Sequence, residues 1–305
     1  MCYMKRIALF FSILAFYGCG NDGKKNNDDQ AFINSLDSMT LEQPTVSEEV
    51  VGDIIQQVPT PLEISFLIKN SGAKYTNEIL NNSDKVTSYN SNFKKAINLG
   101  IFGTDLGYAN IYNENQDALD YLTSIKSLSN DLNIGQFFDF KTIKRLATNS
   151  QNLDSLLLIT TKNFNKINSH LQDNRRANLS VLILTGGWLE ALHVTNQVYA
   201  SNLANEELKE KIGEQKIVLD NIVLLVDYYK NTDPNIADLS TDLKLLSDAY
   251  SGVDFEYDYQ EPKFVERDGQ LVIEDNSTTI VKVSQEQIQD ITKIVEQIRN
   301  KLIDV

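Results

Sequence analysis

Apolar residues recur at steps of three and four through most of the chain from Leu62 onward, the spacing of helices that bury one face. A short helix is predicted from Leu62 to Asn70, stopped by Gly72. A long one is predicted from Asp84 to about Asn113, with Val86, Tyr89, Phe93, Ile97, Gly100, Ile101, Tyr108 and Ile111 in step. Further helices are predicted near 115–132, 139–148, 151–173, 176–201, 205–230 and 235–250. The links Asp173-Asn174-Arg175 and Asn202-Leu203-Ala204 are short, which makes consecutive helices antiparallel neighbours and 151–230 an up-down-up set of three. The helix at 179–198 is apolar nearly all round and is expected at the centre.

The period changes between 253 and 283. Phe255-Glu256-Tyr257-Asp258-Tyr259 alternates as a half-buried strand does. Lys263–Glu266 and Leu271–Glu274 flank Arg267-Asp268-Gly269-Gln270, a hairpin turn signal. Thr279–Val283 reads as a third short strand. Ser284 with Gln287 three residues on is a capping box for a last helix, whose Ile288, Ile291, Ile294/Val295, Ile298 and Leu302 form one face up to about Ile303. The fold class expected is mainly α: an antiparallel helical bundle or two-layer helical array, with a small β-hairpin element before the C-terminal helix.

The N-terminus follows a different logic. Lys5 and Arg6 precede an apolar run from Ile7 to Phe16, too short for a spanning helix, which needs about 20 residues. Met4 is an alternative start to Met1. Gly18 and Cys19 follow at once, the small-residue-then-Cys order of a lipobox, although Phe16 and Tyr17 depart from its usual residues. This predicts a lipoprotein signal peptide over 1–18 and diacylglycerol attachment at Cys19. Gly20, rather than Asp, after the Cys points by resemblance to proteobacterial sorting to the outer membrane, with the periplasmic and surface faces both open. Residues 19–58 read as the lipidated Cys and a tether, of which 20–46 are rich in Asn, Asp, Gly, Lys and Ser and span roughly 30 Å. Ser47 caps a short amphipathic segment that Pro59 and Pro61 end. Residues 59–305 form the mainly helical domain. In the tether, Asp37-Ser38-Met39 matches the pattern for O-glycosylation of exported Bacteroidota proteins, which makes Ser38 a candidate acceptor.

Charge and composition narrow the classes. The chain has 305 residues, 42% of them hydrophobic and 23% charged, enough for a packed core. A formal net charge of -14 argues against nucleic-acid binding and against attachment to anionic lipid through the protein surface. The two cysteines, Cys2 and Cys19, both lie at the extreme N-terminus. The mature domain therefore offers no disulfide and no thiolate site.

The run Asn92–Gly100, then Asp105-Leu106-Gly107-Tyr108, and later Leu184-Thr185-Gly186-Gly187-Trp188-Leu189-Glu190, resemble an uncharacterised family of Bacteroidota lipoproteins. The resemblance covers most of 59–305. It implies lipidation and export and brings no activity with it.

Candidate chemistry is sparse. Glu190 and His193 form Glu-x-x-His on one helix face, the pair that di-iron bundles use twice with two further Glu. The other histidine, His170, has no suitable Glu before it, so the pair reads first as structural and second as a metal or catalytic site. No Gly-x-Ser-x-Gly elbow, phosphate loop or dinucleotide fingerprint is present. Asp105 shares a wheel stripe with Thr87, Ser91, Lys94 and Asn98 and is expected to face water. Ala96, Gly100, Gly103 and Gly107 form a groove of small residues expected to seat another helix, and Gly186-Gly187 interrupts a second helix.

The function expected is a lipid-anchored cell-envelope protein, a non-enzymatic binding or scaffold component. It would meet the membrane through Cys19 and an envelope protein or glycan through its helical surface, with no cofactor. The alternative is a metal-binding protein or hydrolase using Glu190 and His193. A purely structural envelope component is a third reading.

Overall fold

The computed structural model describes residues 53–54, 68–147, 153–267, 270–274 and 277–304. The expected signal peptide over 1–18, Cys19, the expected tether with Ser38, Ser47, and Pro59 and Pro61 lie outside the described residues, as do Asp268 and Gly269 of the hairpin turn.

Eight α-helices carry the fold among the described residues: α1 (Asn92–Ile111), α2 (Asn115–Asp131), α3 (Phe140–Ala147), α4 (Leu153–Asp173), α5 (Ala177–Ser201), α6 (Glu206–Tyr229), α7 (Pro234–Ala249) and α8 (Gln285–Ile303). Their starts follow from local chemistry. Ser91, Asn205 and Asp233 each accept a bond from a first-turn backbone N–H, and Pro234 opens α7 where no N–H is needed. Ser284 and Gln287 form a complete capping box on α8. The expected long helix from Asp84 is divided. Ser83–Ser88 is a 3-10 turn, Tyr89 is extended, and α1 begins only after Ser91. Tyr89 is thereby turned into the core rather than along a helix face. Gly72, at φ +77°, ends the segment before it as anticipated.

α5 is the central element. It packs most extensively on α1, and also on α4, α6 and α8. It is long and apolar enough to cross a membrane, yet 89% of its most apolar window is buried inside the protein. Its surroundings explain its composition: a helix covered on every side has no polar face to keep. Where α1 and α5 cross, Gly100 lies against the Ile183 carbonyl and Gly186 against the Ile97 carbonyl. Gly103 is different. A Cβ there would meet nothing within 4 Å, so the small-residue groove seats a helix at Gly100 and opens at Gly103.

Between α7 and α8 the chain makes two nested antiparallel pairs. β1 (Asp254–Asp258) pairs with β4 (Thr278–Lys282), and β2 (Lys263–Arg267) with β3 (Gln270–Glu274). The backbone N–H of Gln260 donates to Ser277 Oγ between the two pairs. Val253, Val281 and Val283 are buried at the root, over Gly213 of α6. Burial along β1 ends at Phe255: Tyr257 and Tyr259, expected to be half-buried, are 63% and 65% exposed. The alternation is real, but beyond Phe255 the strand has left the helices that could cover it.

Candidate functional site

One group of the polar side chains that the helices bury converges on a short irregular segment, Ile79-Leu80-Asn81. Four helices supply them. Glu190, on α5, is fully buried and both its oxygens accept from Arg299 of α8, at 2.6 Å from Nε and 2.7 Å from Nη2. Such a two-point ion pair fixes the angle between α5 and α8 as well as their separation. Arg299 Nη2 also donates to the Ile79 carbonyl at 3.1 Å. One turn after Glu190, His193 Nε2 lies 3.0 Å from the same carbonyl. A carbonyl can only accept, so Nε2 carries the proton and His193 is the Nε2–H tautomer.

Asn81 is held through its backbone N–H, its carbonyl and its side-chain NH2. Its backbone N–H donates to Asp105 Oδ2 of α1 at 3.3 Å, and its carbonyl accepts from Tyr121 of α2 at 3.0 Å. Its side-chain amide donates to Tyr89 Oη and to Asn98 Oδ1, at 3.0 and 3.1 Å. Asn98 and Tyr89 pass the connection on to the Leu302 and Ile303 carbonyls at the end of α8. Lys94 reaches the same end, donating to the Lys301, Leu302 and Asp304 carbonyls.

Asp105 was expected at the surface and is instead fully buried. Its wheel stripe includes Asn98, also fully buried, and the polar stripe turns inward to meet the Asn81 segment. Burial and the neighbouring Glu190 carboxylate push the Asp105 carboxyl well above the usual carboxylate range, against the pull of Arg299. Burial lowers the His193 pKa more than the Glu190 carboxylate raises it, which keeps the ring neutral. Burial opposes the charge on Arg299, but the Glu190 carboxylate prevails and its pKa is raised. Burial likewise holds the Tyr89 and Tyr121 phenols above their ordinary value, so both are neutral donors.

Of the sequence-predicted residues, Glu190 and His193 do come together, and what joins them is Arg299 and the Ile79 carbonyl. Cys19 and Ser38 lie outside the described residues. Among the described residues no group of three or more His, Cys, Asp or Glu side chains could hold a metal ion. His170 is remote from the cluster, its ring 4.9 Å from that of Phe137 on the α4 side of the fold. Arg299 and Asn81 were missed. Arg299 was readable, because it lies four residues after Val295 and three before Leu302, on the apolar face of its own helix. Asn81 carried no sequence signal.

Compared with family models, with curated proteins and with solved structures, the chain matches none of them.

Proposed function

We propose that this protein is a lipid-anchored component of the cell envelope, attached to the outer membrane through Cys19, with a non-enzymatic binding or scaffold role. The observation that carries the anchor is the order of residues at the N-terminus: Lys5-Arg6, the mostly apolar run Ile7 to Phe16, then Tyr17-Gly18-Cys19. The buried cluster supports the non-enzymatic part. Both Glu190 oxygens are occupied by Arg299, and the protonated nitrogen of His193 is occupied by Ile79. The Arg299 pair leaves Glu190 no uncompensated charge to offer as a general base or metal ligand.

The test is Cys19→Ala in cells, followed by membrane fractionation and mass spectrometry of the N-terminal peptide. The expected result is a non-lipidated chain, released from membranes or left as an uncleaved precursor, against a diacylated Cys19 in the parent. A parent protein whose mature N-terminus carries no lipid at Cys19 would overturn the anchor.

A further inference from the structure

Asp105 and Glu190 are two fully buried carboxyl groups on α1 and α5, the two helices that pack most extensively on each other, and both are tied to the Ile79–Asn81 segment, Asp105 directly and Glu190 through Arg299. Glu190 spends both oxygens on Arg299. Asp105 Oδ2 accepts from the Asn81 backbone, and Oδ1 meets no N–H or O–H donor among the described residues. Every other group facing the pair has a settled charge. Arg299 from α8 is a cation, and His193 from α5 is neutral with its Nε2–H turned to Ile79. Tyr121 from α2 and Tyr89 before α1 are neutral phenols donating to the Asn81 and Ile303 carbonyls. One cation thus faces two carboxyl groups. If both were ionised, an uncompensated charge would sit in the core without the water that would otherwise solvate it. A proton on Asp105 Oδ1, donated to Glu190, removes that charge and supplies the missing hydrogen.

We propose that Asp105 and Glu190 hold one proton between them, and that this proton latches the Ile79–Asn81 segment across α1, α5 and α8. With the proton on Oδ1, the cluster is electrically neutral and Asp105 Oδ2 still accepts from Asn81. When base removes it, the Asp105 carboxylate repels Glu190 and draws water. The segment at Ile79–Asn81 yields, because it belongs to no helix or strand and is held mainly by these side chains. The latch is a pH-sensitive device built into the fold, and it does not depend on the lipid anchor.

The sign of the effect is fixed. The unfolded chain loses the Asp105 proton near pH 4, whereas the folded chain keeps it to higher pH. Folding therefore takes up a proton in that window, and stability falls as pH rises until the folded-state proton is lost. Asp105→Asn has the same shape, accepts from Asn81 and donates permanently to Glu190, without titrating. Urea unfolding of the two proteins should be compared from about pH 5 upward. The unfolding equilibrium constant of the parent, relative to Asp105→Asn, should rise about tenfold per pH unit across the window. A ratio that does not change with pH would overturn the shared proton. Because Asp105→Asn could fail to fold, the parent alone gives a second reading. Its infrared spectrum should show a buried carboxylic-acid band at a pH above the ordinary carboxyl range, and its loss at higher pH should coincide with loss of amide-exchange protection at Asn81. Absence of that band would overturn the shared proton, and protection that outlasts the band would overturn the latch.

Discussion

Gly100 of α1 and Gly186 of α5 stand in reciprocal positions: each lies against the carbonyl oxygen of the residue three places before the other, Ile183 and Ile97. Neither helix could approach so closely with a side chain at either place. The close approach offsets the helix-propensity cost of glycine, roughly 1 kcal/mol per residue relative to Ala.

Gly100→Ala and Gly186→Ala should therefore both destabilise the protein. The added methyl meets backbone, which cannot rotate away, so overpacking of about 1–3 kcal/mol should exceed the propensity gain. Gly103→Ala should do the reverse and stabilise by up to about 1 kcal/mol, since nothing stands within 4 Å of its Cβ. Urea midpoints for the three variants check both signs; Gly100→Ala at or above the parent would refute the crossing.

Arg299→Met should cost about 3–5 kcal/mol, because it leaves the Glu190 carboxylate buried without its counter-charge. Adding Glu190→Leu to Arg299→Met should restore a large part of that loss. Chemical denaturation of the two single variants and the double variant measures the coupling. Additive losses would mean that the pair is not the source of the effect.

His193 gives an acid-side signature opposite to that of Asp105. Its folded pKa lies below the ordinary value of 6.5, mainly through burial, and its Nδ1 has no hydrogen-bond partner among the described residues. Unfolding therefore takes up a proton, and the stability tied to this residue is lost as pH falls from 6.5 down to the folded value. His193→Gln, which can still donate to the Ile79 carbonyl, should remove this component. Thermal melts of the parent and the variant at a series of pH values should converge as pH falls through that range; a constant difference would contradict a neutral buried ring.

At the hairpin root the steric limit is softer. A Cβ at Gly213 would lie 2.6 Å from Val281 Cγ1, a side-chain methyl that can shift by rotation. Gly213→Ala should be close to neutral, with the clash and the propensity gain opposing each other. Gly213→Leu should displace the β1–β4 pair from α6 and destabilise the protein. Fluorescence-monitored unfolding would separate the two, and equal effects would mean that α6 does not seat the hairpin.

Most helices were legible in the sequence because their apolar period and caps are local properties. Ser284 with Gln287 marks its own helix start. The break near Tyr89 was not legible. Tyr89 and Val86 keep helical spacing with Phe93, but Tyr89 is placed by its bonds to Asn81 and Ile303, partners far away in sequence or outside any helix. The candidate site divides in the same way. The Glu190–His193 spacing could be read from one helix, whereas the inward direction of Asp105 depends on Asn81, whose position no periodicity records. Gly100 and Gly103 look alike on a wheel, and only the path of α5 distinguishes them.

The grip on the end of α8 bears on when the fold can form. Arg299, together with the Lys301–Asp304 carbonyls that Lys94, Asn98 and Tyr89 hold, belongs to the last described element to be synthesised. Until α8 arrives, α1 and α5 would bring Asp105 and Glu190 together with no cation beside them, and the Ile79 carbonyl would lack one of its two donors. Closing the core early would bury an unbalanced charge, so α1 and α5 gain little from closing on each other before α8 is in place. Formation of the core is thereby tied to the docking of α8.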